Sequence, residues 1–304
     1  MRIMSSAVPS PPRGRIEIID GARGTAMLLV FVSHFVEAFF RRLPHAQADR
    51  LLLVTRIATP AFIWISGATL AVLHARNRNR FATTADRLID RGLFLIFVGH
   101  LLIIPAYRFM EKSWPDTIRV VFVTDTLGLC VLVGAFLITR VDALGRLLLG
   151  TMLLLSSWTL TVIWEPAIPS LAWRLKDFLV GDLRDRWLDY NFPPLPWLGL
   201  YLIASAAGAV FARAHDSRQE KSYTSRIALL GLGLLGAAFM IRSVCRGLVA
   251  HGAGSAFVLD HLAAMTHKLP PSPTYMLFHS GLALLMFAAL LLILNGAKGW
   301  GSKE

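Results

Sequence analysis

The sequence predicts an all-α, polytopic integral membrane protein with about eight transmembrane helices and an amphipathic segment on its outer face. Of its 304 residues, 55% are hydrophobic and 16% are charged, and the mean hydropathy is +0.56. Soluble domains rarely combine such values, whereas polytopic membrane proteins do so routinely. Several stretches also approach or exceed the ~18–20 apolar residues that cross a bilayer as a helix.

Eight apolar stretches predict the individual membrane helices. They lie at 22–40, 51–74, 91–107, 118–139, 146–164, 194–212, 227–246 and 273–295. Together they form a single transmembrane domain over residues 16–296. Residues 1–15 are basic and rich in Pro and Ser, and no small-residue cleavage site follows them, which predicts a disordered cytoplasmic tail. Residues 297–304 are expected to form a second cytoplasmic tail.

The net charge of +12 admits two interpretations. Nucleic-acid binding is one, but no basic helix or RNA-binding signature accompanies the charge. The other is the excess of Lys and Arg that cytoplasmic loops carry. More than half of these residues fall on one side of the predicted spans, in both tails and in loops such as 75–91 and 213–226. The pattern predicts that both termini are cytoplasmic and excludes nucleic acid as a partner.

The loop at 165–192 carries aromatic residues at helical spacing. Trp173, Phe178 and Trp187 recur there with charged residues between them. This pattern is typical of an interfacial amphipathic helix, lying here on the outer surface. Two roles stay open for it: a membrane anchor, or a lid over a site in the outer leaflet.

Ionisable residues inside membrane spans are costly and usually face a cavity or a partner. Because successive spans alternate in direction, the depth of each such residue follows from counting. Six of them lie roughly 6–11 Å below the same membrane boundary: His34, Arg56, His100, Asp125, Arg242 and His279. The shared depth predicts a polar chamber in the outer leaflet. For Arg242, snorkelling to the interface or pairing for packing is the stronger interpretation.

The first span joins two of the polar positions on one face. Arg23 and His34 are eleven residues apart, which is three helical turns plus about 20° and about 16 Å along the axis. One face therefore carries a cation near the cytoplasm and an imidazole in the outer half. Since histidine takes up and returns protons near neutral pH, this helix suits a reaction with a cytoplasmic donor and an outer acceptor.

The stretch "RIEIIDGARGTAMLLVFVSHF" resembles the first-helix signature of the transmembrane acyltransferase superfamily, which includes bacterial polysaccharide O-acyltransferases and the heparan-alpha-glucosaminide N-acetyltransferase. The matching residues are Arg15, Asp20, Arg23, Gly24 and His34. Three further stretches are similar to segments of this family: "TRIATPAFIWISGATLA", "PPLPWLGLYLIASAAGAVFAR" and "LPPSPTYMLFHSG".

The resemblance implies transfer of an acyl group, commonly acetyl, from cytoplasmic acyl-CoA to a sugar across the membrane. It implies no permanently bound cofactor and, through the bacterial branch, a place in the inner (cytoplasmic) membrane. The catalytic histidine of the family corresponds to His34 and the helix-one arginine to Arg23. Arg87 and Arg91 fall where O-acyltransferases carry a basic motif, and His45 corresponds to a first-loop histidine of the N-acetyltransferase branch.

These assignments give a mechanistic hypothesis. His34 is expected to act as general base, with Asp125 orienting it or balancing its charge, and Arg56 or His100 is expected to stabilise the tetrahedral oxyanion. Guanidinium groups match phosphate geometry. Contacts with the donor phosphates are therefore assigned to Arg23, Arg87 and Arg91. Contacts with the acceptor are assigned to His279, Tyr275 and His45.

Two other function classes remain open from the sequence. His34, His100 and Asp125 could instead form the relay of a proton-coupled transporter, although inverted repeats and broken helices in matching halves are missing from the sequence. A membrane scaffold is the third class, and it has no need of a polar chamber. Neither cysteine has metal-ligand spacing, so no metal site is expected. The acceptor, the acyl group, O- versus N-transfer and a homodimer stay open.

Overall fold

The computed structural model describes residues 17–39, 53, 55–108, 113–189, 191–217 and 219–300. This part of the chain is helical and contains no β-strand, which confirms the predicted all-α fold. The α-helices, in chain order, are α1 Glu17–Phe39, α2 Ala58–Arg76, α3 Phe81–Phe94, α4 His100–Arg108, α5 Trp114–Ile118, α6 Val123–Leu137, α7 Ala143–Ile163, α8 Leu171–Leu179, α9 Pro194–Asp216, α10 Glu220–Ala250, α11 Ala256–Ala263 and α12 Pro273–Trp300.

Within the described residues, seven helical segments are long and apolar enough to cross a membrane. The third predicted span is longer than expected, since a continuous helical segment runs over Arg78–Pro105 with a π-helical stretch at Leu95–Gly99. The fourth, predicted at 118–139, is shorter. Its helix α6 has 15 residues, because the chain before it is extended and Val120 pairs with Asp189.

The alternating helices give the bundle two ends. The basic end is where α1 begins and where the connections 76–81, 138–142 and 213–220 lie. The loop end is the opposite one, with the long segments 164–193 and 251–272. Contacts confirm the alternation at the loop end: the Thr126 hydroxyl donates to the carbonyl oxygen of Phe192 at 2.5 Å. At the basic end, His74, Arg140 and Arg213 line one cavity.

Helices α2 and α9 form the centre of the bundle. Most of each is buried, whereas most of α1, α10 and the Arg78–Pro105 segment is exposed, as expected of helices that face lipid. Glycines allow α2 and α9 to approach closely: a Cβ atom on Gly208 would lie 2.5 Å from Cα of Ala68, and one on Gly67 would lie 2.4 Å from the carbonyl oxygen of Tyr201. Small residues at such crossings let membrane helices pack closely.

The 165–192 segment is folded against the bundle and only partly helical. Helix α8 covers Leu171–Leu179 alone, and Gly181 follows it with a φ of 83°. A buried carboxylate organises the rest: Asp177 accepts hydrogen bonds from the backbone of Leu188 at 2.8 Å and from the side chain of Asn191 at 3.2 Å. The longer amphipathic helix predicted from the aromatic spacing is therefore wrong, because Trp187 lies in the irregular part and Trp173 is buried.

Candidate active site

A histidine and a carboxylate meet where α4 begins and α6 begins. Nδ1 of His100 lies 2.9 Å from Oδ2 of Asp125. The same carboxylate oxygen accepts the backbone N–H of Phe122 at 2.9 Å, which caps α6, and the Phe122 ring stands edge-on to the imidazole at 5.2 Å. The other oxygen, Oδ1, is buried and has no hydrogen-bond partner among the described residues. Both side chains are half-buried.

This geometry fixes the role of each ring nitrogen. A carboxylate only accepts hydrogen bonds, so Nδ1 of His100 carries the proton and donates a hydrogen bond to Asp125. Nε2 then either accepts a proton as the neutral imidazole or donates one as the imidazolium, which Asp125 stabilises. The sequence predicts Asp125 as the partner of His34; the structure pairs it with His100.

A second polar group lies where the chain enters α2. The Tyr275 hydroxyl donates to the carbonyl oxygen of Arg56 at 3.2 Å, and Nε2 of His279 lies 2.9 Å from the carbonyl oxygen of Leu53. Nη1 of Arg56 donates to the carbonyl oxygen of Thr266 at 2.5 Å. Tyr275 and His279 are fully buried. The side chains of Tyr275 and His279 bond to backbone carbonyl groups just before α2, so they anchor the chain where it enters this helix. Arg56 is half-buried and lies at the loop end.

His34 lies in the loop-end half of α1. Its side chain is exposed, and that of Arg23 is half-buried near the start of the same helix. Helix α1 packs mainly against α2 and α12, the two helices next to Arg56 and His279. His45 lies outside the described residues.

Five of the six residues predicted at one depth fall into three groups of contacts, and the sixth, His34, lies on α1. His100 pairs with Asp125, and the Arg56 and His279 arrangement lies between α2 and α12. Arg242 donates to the carbonyl oxygen of Ala263 at 3.3 Å and so joins α10 to α11. The packing interpretation kept for Arg242 fits this contact.

A pair of histidines that the sequence did not single out joins α11 to the following loop. The Nδ1 atoms of His261 and His267 lie 2.5 Å apart, so one ring donates a hydrogen bond to the other. Burial, helped by the second imidazole and by Arg186, lowers the pKa of His261 to about 3. Burial, with Arg186 and Arg56 nearby, also lowers the pKa of His267. Both rings are therefore neutral near pH 7.

The basic end holds a cavity of about 620 Å³. It lies between the ends of α2, α6, α7 and α9. Five cationic or titratable side chains line it together with Asp142: His74, Arg78, Arg140, Arg146 and Arg213. Three of the four guanidinium groups are on exposed residues and surround the opening, whereas Arg146 is buried.

Arg146 is held without a carboxylate. Its Nε donates to the hydroxyl of Ser205 at 3.0 Å and its Nη1 to the carbonyl oxygen of Val141 at 2.7 Å. Asp142 is occupied as the cap of α7, where its Oδ1 accepts the backbone N–H of Gly145 at 2.8 Å. The cavity is thus built with an excess of positive charge, which suits a ligand with several negative charges.

Sequence reasoning counted these cations for topology and missed their convergence. They come from three stretches that are far apart in the chain, 74–78, 140–146 and the end of α9, so no single local motif connects them. Arg87 and Arg91, the sequence candidates for the donor phosphates, are exposed on α3 and are not among the residues that line the cavity.

Comparison with known proteins supplies a family. The model of the heparan-alpha-glucosaminide N-acetyltransferase catalytic family matches residues 15–241, well over half of the chain. No curated protein and no solved structure matches. The match favours an acyltransferase over a proton-coupled transporter as the explanation of the intramembrane His and Asp residues. The chain therefore belongs to the heparan-alpha-glucosaminide N-acetyltransferase catalytic family of membrane acetyltransferases.

Proposed function

We propose that this protein moves an acetyl group from acetyl-CoA, bound at the basic end, to an amine or hydroxyl of a sugar at the loop end. The observation that supports this best is that a cationic cavity and a group of candidate catalytic residues lie at opposite ends of the bundle. A cavity of about 620 Å³ with four arginines opens at one end, and the His100–Asp125 pair and Arg56 lie at the other. The basic end is the cytoplasmic one under the positive-inside rule, in a bacterial inner membrane.

The donor is bound through its phosphates. Coenzyme A ends in a pyrophosphate and a 3′-phosphate, and clustered guanidinium groups form charge-assisted, often bidentate hydrogen bonds with such groups. Arg78, Arg140 and Arg213 reach the opening of the cavity, while Arg146 supplies positive charge at its base. The acetylated arm of the donor then extends between the helices towards the loop end. Arg23, Arg87 and Arg91 stay as additional candidates for contacts with the donor phosphates.

His34 acts as the general base. It takes the proton of the acceptor amine or hydroxyl while the acceptor nitrogen or oxygen attacks the thioester carbonyl carbon. The tetrahedral intermediate carries an oxyanion, which the His100 imidazolium, held by Asp125, or Arg56 stabilises. The intermediate collapses with cleavage of the carbon–sulfur bond, and the thiolate of CoA leaves and takes up the proton that His34 had accepted. The support for His34 is the resemblance of its helix to the first-helix signature of the family, together with its place inside the matched residues 15–241.

The remaining acceptor-side residues have two different roles in this proposal. Tyr275 and His279 act through Arg56, since they hold the segment that carries it. His45 is proposed to contact the acceptor directly, as the resemblance implies.

The test is acetyl transfer by the purified protein from radiolabelled acetyl-CoA to D-glucosamine. Wild type is expected to label the sugar, and His34→Ala is expected to lose at least 100-fold in rate. His251→Ala is the matched control, because His251 is exposed at the end of α10 and belongs to none of the groups described above. Equal rates for wild type and His34→Ala contradict the assignment of the base.

A double substitution tests whether His34 and His100 serve one reaction centre. Residues that act as a unit have non-additive effects on rate. The His34→Ala, His100→Ala double variant is therefore expected to be hardly slower than the slower of the two single variants. A loss equal to the product of the single losses shows that the two histidines act independently.

A further inference from the structure

A second cavity lies at the loop end, between the end of α7, the 165–184 segment and the start of α11. Its volume is about 300 Å³, at the small end of the range of ligand sites. Its charged residues all come from the 165–184 segment, and its apolar walls include Ile168, Leu183 and Phe257. Phe257 is 54% exposed although it lines the cavity, so its ring is accessible to a ligand.

A buried lysine and aspartate face each other across the base of this cavity. Nζ of Lys176 lies 4.0 Å from Oδ2 of Asp182, too far for a direct hydrogen bond, and each residue is only 4% exposed. The other Asp182 oxygen accepts the backbone N–H of Arg184 at 2.9 Å, which fixes the carboxylate. The carboxylate is therefore held in place without direct contact to the ammonium, although burying two charges normally requires close pairing.

One hydroxyl group fits between these two charges. An oxygen about 2.8 Å from both atoms accepts a hydrogen bond from the ammonium and donates one to the carboxylate. A hydroxyl is one of the few groups with both capacities, and a sugar presents several of them on a ring with apolar faces. At the rim, Glu165 and Arg184 form a second ion pair at 2.7 Å, so the lining is balanced in charge and selects for a neutral polar ligand.

We propose that this cavity binds one sugar residue of the acceptor glycan. A ring hydroxyl lies between Lys176 and Asp182, and one face of the ring packs against Phe257. The inference rests on the proposed function for the statement that this sugar belongs to the acceptor. Phe257 lies beyond residues 15–241, so the subsite is partly built by sequence outside the matched family region.

The segment that forms this cavity also reaches the His100–Asp125 pair. Beyond Arg184 the chain continues to Asp189, whose carbonyl oxygen accepts the backbone N–H of Val121 at 3.3 Å. The carbonyl oxygen of Phe192 accepts the hydroxyl of Thr126, the residue after Asp125. A glycan held in the cavity is thus bound by the same segment that borders the proposed reaction centre.

Saturation-transfer NMR on the full-length protein tests the subsite without catalysis. The protein is placed in lipid nanodiscs, because maltoside detergents carry sugar headgroups that compete. The probes are cellotriose and the β-1,4-linked glucosamine trimer, with no acetyl-CoA present. Wild type is expected to bind at least one trimer, and Lys176→Gln and Phe257→Ala are each expected to raise its dissociation constant at least tenfold. The control Asp260→Asn changes an exposed residue of α11 that does not line the cavity, and it is expected to bind as wild type does.

Two results overturn the subsite. One is that wild type binds neither trimer, which leaves water alone in the cavity. The other is that Phe257→Ala binds as tightly as wild type; this exposed position decides the matter even when Lys176→Gln fails to fold. A failure of the proposed function gives a different result. Wild type then transfers no acetyl group from acetyl-CoA, but it still binds the trimer, and Phe257→Ala still weakens that binding.

Discussion

Nδ1 of His100 and the backbone N–H of Phe122 share one oxygen of Asp125, each at 2.9 Å. The carboxylate therefore caps α6 and orients the imidazole with the same atom. A small change in the start of α6 moves the histidine as well, so the geometry of this pair depends on helix capping as much as on charge.

The substitution Asp125→Asn separates these two effects. An asparagine oxygen still accepts the Phe122 N–H, so α6 stays capped, but a neutral amide no longer stabilises the imidazolium of His100. We expect kcat for acetyl transfer to fall by about 100-fold with KM for acetyl-CoA unchanged. Asp116→Asn is the control, because Asp116 forms an exposed pair with Arg119. A kcat within a factor of two of wild type for Asp125→Asn excludes this role.

Charge removal at the basic end is expected to weaken donor binding. Arg78→Gln and Arg213→Gln each remove a guanidinium from the rim of the cavity. Hydrogen bonds to charged groups contribute about 1.5–3 kcal/mol, so KM for acetyl-CoA is expected to rise about tenfold or more in each variant, with KM for the sugar unchanged. Arg87→Gln is compared in the same assay. A larger effect of Arg87→Gln than of both cavity variants assigns the phosphates to the exposed face of α3.

The His261–His267 pair predicts that acid loosens the 256–272 region. A histidine in an unfolded chain titrates near pH 6.5, whereas His261 stays neutral until its pKa of about 3. Between these values the unfolded chain takes up a proton that the folded chain does not, so the contribution to stability is complete above pH 6.5 and is lost as pH falls. His267, whose pKa burial also lowers, adds in the same direction.

Hydrogen exchange at pH 7.5, 6 and 5, corrected for the intrinsic rate, measures this effect. Protection of peptides from 256–272 is expected to fall with pH in wild type and to change less in His261→Gln. Equal protection of the wild-type peptides at all three pH values rules out the pair as a determinant of local stability.

Close packing of α2 and α9 predicts a large effect of one methyl group. A Cβ on Gly208 meets the backbone of Ala68 at 2.5 Å, whereas a Cβ on Gly233 of α10 meets nothing within 4 Å. Overpacking costs about 1–3 kcal/mol. Gly208→Ala is therefore expected to lower the melting temperature in detergent by several degrees, and Gly233→Ala to leave it unchanged or raise it. Equal melting temperatures for the two variants contradict the packing described for this crossing.

Composition and hydropathy were sufficient to predict the helical membrane fold, because a bilayer restricts spanning segments to long apolar helices. The same signals did not predict the conformation of segments that specific side-chain contacts determine. The aromatic spacing from Trp173 to Trp187 indicated one helix, but a buried carboxylate, Asp177, draws the chain into an irregular fold instead. Such a contact joins residues far apart in the segment and leaves no periodic signature.

The candidate site shows the same division. Counting along alternating helices predicted that His100 and Asp125 share a depth, and the structure brings them into contact. Counting could not predict that Asp125 pairs with His100, since the depth of a residue does not show which helices are neighbours. The arginines of the basic-end cavity were visible as charges only. Their convergence depends on how α2, α6, α7 and α9 pack.

Transfer of acetyl across a sealed membrane tests the central claim most directly. The protein is reconstituted in proteoliposomes, its orientation is determined by protease access to the basic 76–80 connection, and labelled acetyl-CoA and a membrane-impermeant glucosamine trimer are placed on opposite sides. Label is expected on the trimer only when acetyl-CoA is on the side of the basic end and the trimer on the side of the loop end. Transfer only when both are on the same side, or no transfer in any arrangement, contradicts the account.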